Sequence, residues 1–297
     1  MHWGPVLEVL RSIPDGSVHL CVTDPPYFID GLDADWDGLA VTVRQNRAGV
    51  VGSLPTGMKF DPRQGPNLHA FMLPISVEIY RILKPGGFYV SFAQPRLYHW
   101  LASAVEGAGF DIRDMMLWAR NGQAKAFSQD HFVRKMNITK SRKSEIIAVL
   151  GGRKTPQLRP QFEPMVLAQK PREGTFVDNW LRYRTGLMDT TQSLDSMFPG
   201  NIMEVAKPTR AEKGPDNDHP TSKPVPLIEH IIRLFSVPGQ TVIDPFLGSG
   251  SHGVAAIRSG RDFIGIERDS HYYSIAQRRI RDVAAKCGGA PFGNAEA

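Results

Sequence analysis

The sequence predicts an α/β fold: a doubly wound, mixed but mostly parallel sheet, interrupted by an inserted region. Three observations carry that prediction. Short apolar runs alternate with stretches of helical periodicity towards both ends of the chain, the runs stop at turns rich in Pro or Gly, and the periodicity is lost between residues 120 and 218. With 297 residues, 41% of them hydrophobic, the chain is long enough for one sizeable core plus a smaller inserted unit.

Val18 to Thr23 is the first strand, an apolar run after the turn Pro14-Asp15-Gly16 that stops at Asp24-Pro25-Pro26-Tyr27. Residues 30–67 are polar, rich in Asp and Gly, and read as loop. A helix is expected over 68–83, where Phe71, Ile75, Ile79, Ile82 and Leu83 recur at helical spacing until Lys84-Pro85-Gly86-Gly87 ends it. Residues 88–92 read as strand, 98–106 as helix closed by Gly107 and Gly109, and 111–118 as strand. Regularity returns with a helix over 224–235, whose apolar face is Leu227, Ile228, Ile231, Ile232 and Phe235. Thr241 to Asp244 is the next strand, followed by a Gly-rich turn, a helix over 253–259, a strand over 262–266 and a helix over 270–283. Segments 1–119 and 219–287 are thus expected to form two halves of one domain, 120–218 the insert, and 288–297 a disordered tail.

The net charge of +5 is unevenly spread. Residues 120–213 hold 17 Lys and Arg against 9 Asp and Glu, and the rest of the chain holds 18 against 21. A neutral-to-acidic domain carrying a basic insert suits an enzyme of nucleic acid with its own reading unit, although a solvated surface accounts for the same imbalance. The two cysteines, Cys21 and Cys287, support neither a disulfide framework nor a metal cluster, so no metal is expected. No apolar run is long enough to span a membrane, and the start Met1-His2-Trp3-Gly4 lacks the pattern of a secretory signal, so a cytoplasmic location is expected.

Two segments carry chemistry. In Val242-Ile243-Asp244-Pro245-Phe246-Leu247-Gly248-Ser249-Gly250 a strand runs into a glycine turn and then a helix, and about twenty residues on Glu267 closes the next strand. Glycines let the backbone turn sharply against a ligand, and an acid at that strand end accepts hydrogen bonds from ribose hydroxyls. A tight structural turn explains a lone Gly-x-Gly equally well; the pairing with Glu267 strengthens the ligand reading. The turn is shorter than the dinucleotide fingerprint, and it offers the Asp244 carboxylate to a cationic amino group and the Phe246 ring to adenosine, which favours S-adenosylmethionine.

The second segment is Asp24-Pro25-Pro26-Tyr27. Consecutive prolines fix the backbone and remove two donors, leaving the Asp24 carboxylate and the Pro25 carbonyl as acceptors at a strand's carboxyl end. Such a turn suits an amino group with two hydrogens, and Tyr27 adds a face on which an unstacked base can lie. An ordinary strand-ending loop is the competing explanation.

Together, Asp24 to Tyr27 and Phe246 to Gly250 resemble the DPPY and FxGxG motifs of the amino-methyltransferases of DNA, and their order resembles the β group, most like the N6-adenine enzymes. Leu83-Lys84-Pro85-Gly86-Gly87, the helix around 273–280 and His219-Pro220-Thr221-Ser222-Lys223-Pro224 are further matches, and the likeness covers about two thirds of the chain. It implies a Rossmann-like methyltransferase fold, S-adenosylmethionine as donor, and double-stranded DNA as partner. Asp24, Pro25, Pro26 and Tyr27 would then be catalytic. Phe246, Gly248, Ser249 and Gly250 would cradle the donor, with Asp24 and Asp244 beside it, Glu267 on its ribose and Ser222 and Lys223 near its methionine end.

The insert takes the place of the family's target-recognition region, and Lys125, Arg134, Lys135, Lys140, Arg142 and Lys143 are candidates for phosphate contacts. One departure is that Gly4 is followed by Pro5 where the family often has Asp. Methylation of cytosine at N4 is the nearest alternative; those enzymes more often resemble a Ser-Pro-Pro-Tyr pattern. Methylation of cytosine carbon needs a thiolate after proline, and no Pro-Cys pair occurs in this chain. Methylation of RNA or of protein glutamine would reverse the motif order. A catalytically silent DNA-binding module is the alternative of another class. A homodimer and a cognate restriction enzyme are the other partners that the resemblance suggests.

Overall fold

The structure is a computed structural model that describes residues 1–27, 63–122, 126–194, 197–214, 217, 219 and 222–287. The chain opens with a short edge strand β1 (His2–Trp3) and a helix α1 (Val6–Ser12), then enters β2 (Val18–Thr23). Helix α2 (Gln64–Ile82) runs directly into β3 (Leu83–Phe92), and α3 (Tyr98–Gly107) leads to β4 (Asp111–Ala119). Two helices of the insert, α4 (Asp130–Lys135) and α5 (Lys140–Val149), precede β5 (Phe162–Gln169), α6 (Phe176–Tyr183), β6 (Ile202–Glu204) and α7 (Arg210–Lys213). The chain then alternates α8 (Val225–Phe235), β7 (Thr241–Asp244), α9 (Ser251–Arg258), β8 (Asp262–Glu267) and α10 (Ser270–Lys286).

The strands form one sheet in the order β1-β8-β7-β2-β3-β5-β4-β6. Neighbours are parallel throughout except at β5, which is antiparallel to both β3 and β4. The expected doubly wound, mostly parallel α/β sheet is therefore present. Successive residues on each strand point to opposite faces. Leu20, Val22, Val90, Phe92 and Val242 join the core under α8 and α9, whereas Cys21, Tyr89 and Ile243 join the core under α1, α2 and α3. Covering a parallel sheet on both sides leaves its ligands the strand ends.

Two elements depart from the expected pattern. Residues 64–67 are helical where loop is expected, because a proline in a helix's first turn sacrifices an N–H that has no partner there anyway. The adjoining Gly65 permits the close approach of Trp100, whose Nε1 would lie 2.0 Å from a Cβ at that position. Within the supposedly aperiodic 120–218 segment, β5 lies in the interior of the sheet, with Met165, Val166 and Ala168 fully buried. Its apolar run, Met165 to Ala168, is enclosed by Pro164 and Lys170-Pro171 within a basic, Pro-rich stretch, which hides it. Arg120 N–H donates to Gln161 O at 2.8 Å and Gly122 N–H to Pro160 O at 2.9 Å, closing the stem of an excursion from the sheet. Most of the loop expected over 30–67, and the tail over 288–297, lie outside the described residues.

Candidate active site

Parallel pairing of β2 with β7, in the register Leu20 with Val242 and Cys21 with Ile243, brings the ends of both strands to one edge of the sheet. A single carboxylate oxygen then ties the two motifs: Asp244 Oδ1 accepts from Thr23 Oγ1 at 2.6 Å and from the Phe246 N–H at 3.0 Å. The turn after β2 and the turn after β7 are thus held side by side. Tyr27 packs against the core on the α8 side, and Phe246, 6% exposed, belongs to the core on the α2 side, where its ring lies 6.0 Å from that of Phe71. The two rings flank the same edge from opposite faces of the sheet.

At the Asp24-to-Tyr27 turn four charged side chains meet. Asp24 Oδ2 is paired with Lys223 Nζ, which also lies 3.1 Å from Glu163 Oε1. The Tyr27 hydroxyl donates to that same Glu163 oxygen, and Arg120 Nε lies 3.1 Å from the other. Lys223 is 4% exposed, and its ammonium is 4.9 Å from the centroid of the Phe92 ring and 5.4 Å from that of Tyr27. Asp24 Oδ1 is buried and has no hydrogen-bond partner among the described residues. Other buried polar atoms, Asp244 Oδ2 among them, also lack a partner, and the Tyr27 hydroxyl acts on the Asp24 carboxyl; at the end of β2, Oδ1 is placed to accept from a bound molecule.

Burial raises the Asp24 carboxyl above its ordinary range, with Glu163 adding to the effect and Lys223 opposing it. Burial acts on Glu163 in the same direction, but Lys223, the Tyr27 hydroxyl and Arg120 outweigh it and hold this carboxyl below its usual value. Lys223 is pushed down by burial and more strongly up by Asp24 and Glu163, so its ammonium is held charged. Burial and both carboxylates raise Tyr27 well above the ordinary phenol, which keeps its hydroxyl a donor.

The glycine turn is built for close approach. Gly248 has φ +51° and Gly250 φ +85°, a region that side chains rarely adopt, and a Cβ at Gly248 would meet His219 Nε2 at 2.9 Å. The Gly248 N–H donates to Glu267 Oε2 at 2.8 Å and the Asp269 N–H to Glu267 Oε1 at 2.9 Å. The Arg268 N–H is a third backbone donor to this carboxylate, which leaves it limited capacity to accept from a ribose hydroxyl. Burial raises the Glu267 carboxyl above its usual range. Ser222 and Ser249 hydroxyls lie 3.0 Å apart, and Arg279 donates to the Ser249 carbonyl, so the His219-to-Lys223 segment, the turn and α10 are joined.

The structure therefore gathers Asp24, Pro25, Pro26, Tyr27, Ser222, Lys223, Asp244, Phe246, Gly248, Ser249, Gly250 and Glu267 at one edge. Two of them differ from expectation in what they touch. Lys223 pairs with the Asp24 carboxylate, and Asp244 is fully buried, with Oδ1 engaged as above and Oδ2 3.0 Å from His252 Nδ1, so it ties the two turns together. Glu163 and Arg120 were missed by motif reasoning; the only signal for Glu163 is a lone acid at the head of the apolar run 164–168. Arg134, Lys135, Lys140 and Arg142 are exposed and Lys143 half-buried on α4 and α5, in the excursion whose stem springs from Arg120, and Lys125 lies outside the described residues. Arg142 is paired with Glu145 at 2.8 Å, and Lys143 Nζ donates to the Arg134 carbonyl at 2.9 Å. Among the described residues no cluster of His, Cys, Asp and Glu is arranged to hold a metal, and no helix is long and apolar enough to cross a membrane.

Comparison with known proteins gives the same picture. The chain is 27% identical over 294 residues to the type II methyltransferase M.HindIII of Haemophilus influenzae, covering 91% of each chain. It is 25% identical over 280 residues to the type II methyltransferase M2.LlaDCHI of Lactococcus lactis subsp. cremoris, covering 93% of this chain and 87% of that one. Among solved structures, the cytosine-N4-specific PvuII DNA methyltransferase superposes with a TM-score of 0.60 at 18% identity, covering 98% of this chain and 93% of the other. The complex of M1.HpyAVI with SAM gives a TM-score of 0.53 at 18% identity over 94% and 97%, and at such identities the likeness is one of fold. The N6/N4 methyltransferase family model, described as DNA methylase, matches residues 18–278, and this chain belongs to that family.

Proposed function

We propose that this DNA methylase moves the methyl group of S-adenosylmethionine to the N6 amino group of an adenine flipped out of duplex DNA. The observation that carries the reading is the open Oδ1 of Asp24 on a turn tied by Thr23 and Asp244 to the glycine turn. Bound S-adenosylmethionine supplies a methyl group activated by its sulfonium. Gly248 and Gly250 leave room for it, Phe246 offers a ring to its adenosine, and Glu267 keeps limited acceptor capacity for its ribose.

Asp24 Oδ1 and the Pro25 carbonyl accept the two amino hydrogens, which turns the nitrogen lone pair out of conjugation with the base. Tyr27 stacks on the extruded ring, and Asp24 or water takes the proton that the methylated nitrogen sheds. An aspartate at position 24, where the cytosine enzymes more often resemble Ser-Pro-Pro-Tyr, favours adenine. Arg134, Lys135, Lys140, Arg142 and Lys143, with Lys125, neutralise phosphates, and pairing of two copies and association with a restriction enzyme are part of the same proposal.

The test is Asp24→Ala. Turnover is expected to disappear while S-adenosylmethionine binds within a few-fold of the unaltered protein by calorimetry; near-normal turnover would remove Asp24 from the mechanism.

A further inference from the structure

We propose that Glu163 is a positioning residue of the methyl transfer, which through one oxygen, Oε1, aims both the acceptor that receives the base and the ring on which the base stacks. The proposal rests on the roles given above to Asp24 and Tyr27.

Glu163 Oε1 accepts from the Tyr27 hydroxyl and faces Lys223 Nζ at 3.1 Å, while Lys223 in turn holds Asp24 Oδ2. The Tyr27 ring is thereby held at its far end, and the Lys223 ammonium lies 5.4 Å from its centroid. Lys223 occupies one oxygen of Asp24, and the carboxylate is left with Oδ1 as its open acceptor. The Arg120 guanidinium adds an ion pair, with Nε 3.1 Å from Oε2 but making no hydrogen bond to it. Two carboxylates and two cations make the group neutral overall, so Asp24 stays ionised at Lys223 without a surplus of buried charge.

Stability alone is a poor explanation for this arrangement. Burying three charges costs desolvation that apolar side chains of similar size would avoid: Asp24, Glu163 and Lys223 are only 13%, 6% and 4% exposed. A network that also leaves a buried oxygen open at the strand ends suits a ligand. Glu163 needs no contact with substrate to act; it sets the positions of Tyr27 and Asp24, which do.

A double-mutant cycle on the full chain tests this, using single-turnover methylation of duplex DNA and calorimetric binding of S-adenosylmethionine. Glu163→Ala is expected to slow methylation by about 100-fold, the cost of misplacing reacting groups by about an ångström. Donor affinity should stay within about threefold, since no donor contact is assigned to Glu163. Tyr27→Phe, which keeps the ring and loses the hydroxyl, should cost about tenfold. The double variant should be no slower than Glu163→Ala, because both changes act through one atom. Glu163→Gln, which keeps an acceptor and the side chain's shape, should recover about tenfold of the loss; Glu163→Leu, which has no acceptor, replaces the alanine in the cycle if that variant fails to fold.

Multiplying losses in the cycle, or methylation by the Glu163 variants within about threefold of the unaltered protein, would overturn the proposal. In those cases the unaltered protein is still active, and the reading of Asp24 stands. Absence of DNA methylation by the unaltered protein would overturn both.

Discussion

At Gly250 the backbone holds φ at +85°, and an added Cβ would lie 2.9 Å from that of Ala276 on α10. Gly250→Ala therefore combines backbone strain with overpacking, each costing about 1–3 kcal/mol. The expected result is a thermal midpoint lower by several degrees and weaker donor binding, both visible by calorimetry; an unchanged midpoint would contradict this packing. Asp24 makes a different prediction. Burial raises its carboxyl, so the ionised form that accepts the amino hydrogens is lost on acidification at a higher pH than for an ordinary aspartate. The acid limb of the kcat profile should lie above the usual aspartate range, and a limb at or below that range would contradict the assignment. Asp24, Tyr27, Gly248 and Gly250 were legible in the sequence because each belongs to a run of four or five adjacent residues with its own chemistry. Glu163 was not, because its partners Tyr27, Lys223 and Arg120 come from separate segments and meet only through the pairing of β5 with β3 and β4.

For the elements, helical periodicity and short apolar runs bounded by turn residues served towards both ends of the chain. The helices over 98–107 and 225–235 and the strands at Val18–Thr23 and Thr241–Asp244 were all readable to within a residue or two. They failed at β5, hidden in a Pro-rich stretch, and at the start of α2, where Gly65 and Pro66 look like loop. The α4 and α5 pair carries the cations proposed to meet phosphates. Replacing Lys140, Arg142 and Lys143 by Ala should weaken DNA binding without altering donor affinity, and flatten the dependence of log affinity on log salt by about 0.9 for each phosphate no longer neutralised. Of the three, Arg142 has to give up Glu145, and Lys143 the Arg134 carbonyl, to reach a phosphate. An unchanged salt slope in a binding titration would show that this face is merely solvated.

The whole molecule is one sheet whose carboxyl edge collects residues from both ends of the chain, so ligand binding and global stability are linked. S-adenosylmethionine at 100 times its Kd should stabilise the fold by about 2.7 kcal/mol, seen as a rise in the thermal midpoint, and no rise at saturation would mean the donor is not held by the folded edge. Pairing of two copies is checked by sedimentation, where a monomer at micromolar concentration would count against it. The most direct test of the account is mass analysis of the nucleosides from duplex DNA incubated with the protein and S-adenosylmethionine. N6-methyladenine should appear, and it should be missing when Asp24 is replaced by Ala. N4-methylcytosine in its place would contradict the adenine assignment, and unmodified DNA would contradict the proposed meeting of acceptor turn and donor turn in one working site.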